Sequence, residues 1–198
     1  MTKQIGPLVC FDLGNVLIKL GPPIHLYARA DCRAEVTSLL ELYSLGQLST
    51  NAFYERLQCF MVWPMSRSEL QEAFVYTRLP GFQNGSEALI EELSALGLEL
   101  AVLSNINEAH WQYLQKLKVF RHFKHAFLSF ELGIKKPHDD IYKLVERETL
   151  RCGRDIVFFD DREENVLSAR RCGWSAFQVP PDNIVVAVRR NLAGLGLL

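Results

Sequence analysis

The chain predicts an α/β protein: a Rossmann-like parallel sheet core flanked by helices, with a small helical cap inserted after the first strand. Three observations carry that prediction. From residue 86 onward, apolar runs of strand length alternate with segments of helical period, the order that parallel βαβ units require. Four of the apolar runs lead directly into polar or charged groups. Between His25 and Tyr76 there is no convincing strand, while apolar residues recur at helical spacing.

Taken in order, Pro7 to Asp12 reads as a buried strand whose loop runs through NVLI (Asn15 to Ile18) to Gly21-Pro22-Pro23, a break in any regular element. Val36, Leu39, Leu40 and Tyr43, then Phe53, Leu57, Phe60 and Met61, mark two insert helices. Gly46 stops the first, Ser49 or Thr50 caps the second, and Ser66 or Ser68 caps a third near Glu69. Leu79-Pro80-Gly81 returns the chain to the core. The expected division is a core of residues 1–18 and 80–198 and a cap of residues 19–79. The core then continues as helix 86–96, strand 99–103, helix 107–117, strand 126–129, helix 141–149, strand 156–159, helix 163–172 and strand 176–179. Gly97 and Gly173 follow two of these helices as stops, and Asp182 is placed to cap a last one.

Composition narrows the function classes. A chain of 198 residues, 48% hydrophobic and 23% charged, suits one substantial core with a small second lobe. Lys+Arg 22 against Asp+Glu 23 leaves no polyanion-binding stripe, so nucleic acid is not an expected partner. Five scattered cysteines without a C-x-x-C pair speak against a disulfide framework or zinc site, and point to a reducing, cytoplasmic setting. No apolar run approaches the ~20 residues of a membrane span, and no signal-peptide core precedes the first strand. Oligomeric state stays open, since the tail Gly194 to Leu198 could cover the core or a neighbouring subunit.

The polar groups past the apolar runs are Asp12, Ser104-Asn105, Lys136 and Asp160-Asp161. Strands of a doubly wound sheet run the same way, so residues just beyond their carboxyl ends meet in one crevice. Carboxylates gathered there repel one another unless a divalent cation neutralises them, and oxygen ligation suits Mg²⁺. A lysine and a Ser-Asn pair beside them suit the oxygens of a phosphoryl group.

The set FDLGNVLI, LSN, KKP and FFDDREEN, in that order and each at a strand end, resembles the haloacid dehalogenase superfamily of phosphatases and related hydrolases over essentially the whole chain. The match looks closest to small sugar-phosphate phosphatases with the same FDLGNV loop. The resemblance implies a magnesium-dependent phosphatase acting on a small phosphorylated metabolite, with Asp12 as the nucleophile that forms an aspartyl-phosphate. It assigns substrate binding to Asn15, Ser104, Asn105 and Lys136, with Lys135 solvent-facing. Metal binding falls to Asp12, the Gly14 carbonyl and Asp161. Asp160 would support Lys136, Asn165 would steady Asp161, and backbone N–H groups of Gly14-Asn15 would complete the phosphate cradle.

One position departs from the pattern. Most such phosphatases carry Asp two residues after the nucleophile as general acid/base, a term worth ~10²–10⁴-fold, and here that position is Gly14. Three accounts are open: a leaving group that needs little protonation, a replacement such as His25 from the cap, or a weakly active or non-catalytic phosphate binder. Metal-independent 2-haloacid dehalogenation, which also lacks that Asp, is opposed by the pair Asp160-Asp161. Crowded carboxylates without a cation would raise one another's pKa and oppose an anionic nucleophile. Tyr27, Arg29, Tyr43 and Trp63 of the cap are candidate specificity residues.

Overall fold

The computed structural model describes residues 6–198, so residues 1–5 of the expected core lie outside the described residues. The strands are β1 (Leu8–Phe11), β2 (Ile18–Lys19), β3 (Gly81–Phe82), β4 (Glu99–Ser104), β5 (Phe123–Leu128), β6 (Ile156–Asp160) and β7 (Ser175–Gln178). The α-helices are α1 (Arg33–Ser44), α2 (Thr50–Gln58), α3 (Arg67–Gln71), α4 (Ser86–Ala95), α5 (Glu108–Leu114), α6 (Ser129–Leu132), α7 (Asp139–Thr149), α8 (Glu163–Arg171) and α9 (Ile184–Gly194). Five strands form a parallel sheet in the order β5-β4-β1-β6-β7, an α/β fold of Rossmann type.

The central place of β1 follows from its sequence. All four residues of LVCF are buried, as a strand covered on both faces requires. Val9 and Phe11 join Val102, Val157 and Phe159 on one face, while Leu8 and Cys10 join Ala101, Leu103, Ile156 and Phe158 on the other. Each large side chain so buried contributes roughly 1.5–3 kcal/mol of transfer free energy. Register sets the site: Phe11 is level with Val102 and Phe159, so Asp12 leaves the sheet beside Asp160, and Ser104 follows one residue beyond that level on β4.

Helices α1 to α3 occupy the segment between β2 and β3. The Ser49 hydroxyl caps α2 by accepting from Ala52 N, and Ser66 with Glu69 forms a reciprocal capping box on α3. Gly46 ends α1 with φ +70°, and a Cβ there would lie 2.0 Å from the Phe130 carbonyl oxygen, so only glycine lets the chain pass α6 this closely. Val36, Leu39, Tyr43, Phe53, Leu57 and Phe74 continue the Phe11 face of the core without a break.

Several elements differ from expectation. An antiparallel ribbon, Ile18 opposite Phe82 and Lys19 opposite Gly81, closes the base of the helical segment; two residues per strand are too few to show a period. β5 begins at Phe123 rather than 126, because an edge strand can expose Lys124 while burying Phe127. α5 ends at Leu114, not 117, and α6 was not anticipated. Asp182 lies within a 3₁₀ turn, Pro181–Asn183, and does not cap α9. A single π-helical turn spans Glu72–Tyr76. All five cysteines are free, and no described helix is long and apolar enough to cross a membrane.

Candidate active site

Asp12 is fixed first by its backbone, whose N–H donates to the Phe159 carbonyl at 2.9 Å and so continues the β1–β6 pairing one residue past the strand. Its carboxylate, 8% exposed, faces Lys136. The Lys136 Nζ lies 3.0 Å from Asp12 Oδ1 and donates to Asp160 Oδ2 at 2.6 Å, with the lysine side chain itself buried. Lys135 instead pairs with Glu41 of α1.

The backbone of Lys136 is clamped by Asn105, whose Nδ2 donates to the Lys136 carbonyl at 2.8 Å and whose Oδ1 accepts from Lys136 N at 2.9 Å. The Asn105 amide thus positions the lysine with its Oδ1 and one N–H, and its second Nδ2 N–H has no acceptor among the described residues. Ser104 lies beside Asp12 and draws its pKa down.

Asp160 is fully buried and saturated. It accepts from Lys136 Nζ, from Arg162 N at 2.8 Å and from Asn165 Nδ2 at 2.9 and 3.0 Å. Asn165 thus grips Asp160, where Asp161 was expected, because the first turn of α8 aims it inward beneath the strand end. Asp161 is half-exposed, and its Oδ2 accepts from Asn15 Nδ2 at 3.0 Å.

The loop after Asp12 also corrects an expectation. Asn15, at φ +56°, donates its backbone N–H to Ile18 O at 2.8 Å, so that N–H closes the loop and is not available to a cradle. The N–H groups of Leu13 and Gly14 have no acceptor among the described residues. A Cβ on Gly14 would lie 3.0 Å from Leu20 Cδ1, so an isobutyl group fills the space where an acid side chain would stand.

Electrostatics favour a cation. Burial raises the Asp12 pKa to about 6; Lys136 pulls it down and Asp160 pushes it up. Burial opposes the Lys136 charge, but the two carboxylates outweigh it and hold its pKa above the ordinary lysine value. Asp12, Asp160 and Asp161 each present an oxygen, all within 4.8 Å of one another, against the single Lys136 cation. Asp12 Oδ1 is buried without an aligned hydrogen-bond donor. Asp160 is already satisfied, so the carboxylates left for a metal are Asp12 and Asp161, hard oxygen donors that fit Mg²⁺.

A cavity of about 230 Å³ opens from Gly14, Ser104 and Asn105 toward the helical segment. His25, Tyr27, Arg29, Tyr43 and Trp63 do not line it. Tyr43 is stacked on Phe53 at 4.2 Å, and Arg29 is bonded to the Cys59 carbonyl. Leu20, Leu40, Arg78, Asn107 and His110 do line it, and none was singled out from sequence. The available signals were weak: Arg78 immediately precedes the Leu79-Pro80-Gly81 return, and His110 sits one turn beyond Asn107 on α5.

This geometry has counterparts. A profile of haloacid dehalogenase-like hydrolases matches residues 7–173. The sesquiterpene phosphatase astK of Aspergillus oryzae is 23% identical over 190 residues, covering 93% of this chain and 95% of that one. A predicted HAD-like family hydrolase of Porphyromonas gingivalis superposes with TM-score 0.80 at 22% identity, covering 94% and 98% of the two chains. A HAD family enzyme of Bacteroides thetaiotaomicron, solved in complex with magnesium and inorganic phosphate, gives TM-score 0.74 at 22% identity over 87% and 93%. The chain belongs to the haloacid dehalogenase-like hydrolases, and it is an enzyme of that family.

Proposed function

We propose that this hydrolase is a magnesium-dependent phosphatase that cleaves a small phosphorylated metabolite through an aspartyl-phosphate on Asp12. The observation that carries the reading is the buried chain Asp12–Lys136–Asp160, with Asp161 completing a carboxylate cluster at the strand ends. Residues 19–79 act as a cap that shields the site from bulk water.

Asp12 Oδ attacks phosphorus as the bond from phosphorus to the ester oxygen breaks, that oxygen departing with the electron pair and taking its proton from solvent, while Lys136 balances the charge of the nucleophile and the incoming phosphoryl group. The Leu13 and Gly14 N–H groups and the Ser104 hydroxyl donate to phosphoryl oxygens, and Asn105 acts by holding Lys136. Asp12, Asp161 and the Gly14 carbonyl would hold magnesium, which when bound would supply the charge neutralisation that lets two anions approach. Water then attacks the aspartyl-phosphate. With no side chain at position 14, its proton passes to a phosphoryl oxygen or to solvent. Dehalogenation finds no support here, because Asp161 is a carboxylate that a metal-free site would leave unneutralised.

The FDLGNV loop suggests a sugar phosphate. The name of the astK relative, a sesquiterpene phosphatase, adds a hydrocarbon phosphate to the substrates open to this chain.

Phosphate release from p-nitrophenyl phosphate and acetyl phosphate, measured with magnesium and with chelator, tests the reading. Turnover should require magnesium. Asp12→Asn should abolish it, together with the mass gain of a trapped phosphoenzyme, while leaving the folded spectrum unchanged; an Asp12→Asn protein with wild-type rates would refute the nucleophile.

A further inference from the structure

The cavity beside Asp12 says more about the substrate than the motifs do, provided the phosphatase reading above holds. Its wall is hydrocarbon, formed by Leu20, Ile24, Leu40, Phe74, Ile106 and Leu114. Several of its polar side chains are engaged within the protein. Asn107 Oδ1 accepts from His110 N at 3.0 Å, which orients its Nδ2 toward His110 Nδ1, also at 3.0 Å. The histidine proton then sits on Nε2 and donates to the Phe74 carbonyl at 2.8 Å, so both ring nitrogens are used. Asn105 holds Lys136 through its Oδ1 and one of its two Nδ2 N–H groups. A polyol placed here would bury hydroxyls that the hydrocarbon wall cannot partner.

Arg78 differs from these. It lines the cavity, donates from Nη1 to the Gly21 carbonyl, and has no carboxylate within ion-pair distance among the described residues. A half-buried guanidinium with free N–H groups is a fork for phosphate. Gly14 and Leu20 add a third constraint, since the place of a proton donor to the leaving oxygen is occupied by an isobutyl group.

We propose that the site takes a hydrocarbon diphosphate: the terminal phosphoryl group lies against Asp12, the inner phosphate against Arg78, and the hydrocarbon in the apolar cavity. Asp12 Oδ forms a bond to the terminal phosphorus as the bond from that phosphorus to the bridging oxygen breaks. The electron pair stays on the bridging oxygen, which departs as the hydrocarbon monophosphate without taking up a proton. That leaving group is an anion of a phosphate whose second pKa is about 6, whereas an alkoxide has a basicity near that of hydroxide, about 15.7 on the same scale. Water then hydrolyses the aspartyl-phosphate, so the net change is diphosphate and water to monophosphate and inorganic phosphate, with any surplus proton released to solvent. The missing acid at position 14 and the unpaired arginine become parts of one device.

The test compares kcat/KM, with magnesium, for geranyl diphosphate, geranyl phosphate, inorganic pyrophosphate, glucose 1-phosphate and p-nitrophenyl phosphate. Geranyl diphosphate should exceed geranyl phosphate and glucose 1-phosphate by at least about tenfold, with geranyl phosphate accumulating as the product. Arg78→Gln should lower the ratio of geranyl diphosphate to p-nitrophenyl phosphate by about tenfold, with Arg78→Lys intermediate. Leu40→Asn, at a partly exposed position, should lower the ratio of geranyl diphosphate to pyrophosphate. A preference for glucose 1-phosphate, or ratios that neither the Arg78 nor the Leu40 variants move, overturns the inference while p-nitrophenyl phosphate turnover leaves the phosphatase reading standing. Absence of magnesium-dependent turnover on every compound sinks both.

Discussion

At the scale of single residues, the proposed reading makes Gly14 and Leu20 the positions that decide what kind of ester the enzyme can open. On the proposed reading, backbone donors and Lys136 hold a phosphoryl group without help from a side chain at position 14, but no side chain there can protonate a departing alkoxide. The Cβ contact of 3.0 Å is with the far end of a flexible side chain, so Gly14→Asp alone crowds Leu20 without breaking the loop. Gly14→Asp combined with Leu20→Ala should raise kcat on a simple alkyl monophosphate by about 10²-fold over wild type, the lower bound of a general-acid term. Leu20→Ala alone should not. If the double variant shows no gain in steady-state assays, position 14 does not reach the leaving oxygen.

At the scale of elements, α5 is joined to the π-helical turn of residues 72–76 through His110, stacked on Phe74 at 4.5 Å and bonded to its carbonyl. Burial holds the His110 pKa down, from 6.5 to about 4. The folded form therefore binds its proton later than the unfolded chain as pH falls, so the stability contribution is complete above pH 6.5, declines from there to about pH 4, and changes no further below. Urea melts of wild type and His110→Gln across that window should show the wild type losing stability more steeply; parallel curves would mean the ring is not held neutral. Glutamine keeps a donor for the Phe74 carbonyl, which separates the titration from the lost hydrogen bond.

At the scale of the whole molecule, three carboxylates and one buried lysine meet because the neighbouring parallel strands β1 and β6 end together and the loop after α6 brings Lys136 to them. That convergence exists in the folded chain alone, so a cation bound there stabilises the fold by mass action. Magnesium should raise the melting temperature of wild type in proportion to the logarithm of its concentration, and Asp161→Asn should remove most of the shift. An equal shift in the variant would place the ion elsewhere. The reading does not depend on turnover, so it stands apart from any question of substrate.

The sequence by itself determined the parallel α/β class, the helical segment after the first strand and the strand-end positions of Asp12, Ser104 and Asp161, whereas Lys136 reaches the site from the loop after α6. These are local matters of period, caps and punctuation, and strand direction then brings the ends together. Partner choice was not local. That Asn165 holds Asp160, that Asn105 clamps Lys136, and that the Asn15 N–H is spent within its own loop depended on where side chains point after packing. The cavity was less legible still. Arg78, His110 and Leu20 stand far apart in the chain and follow no shared period, and only the docking of the helical segment on the sheet places them around one volume, because burial and hydrogen-bond saturation are properties of the packed molecule.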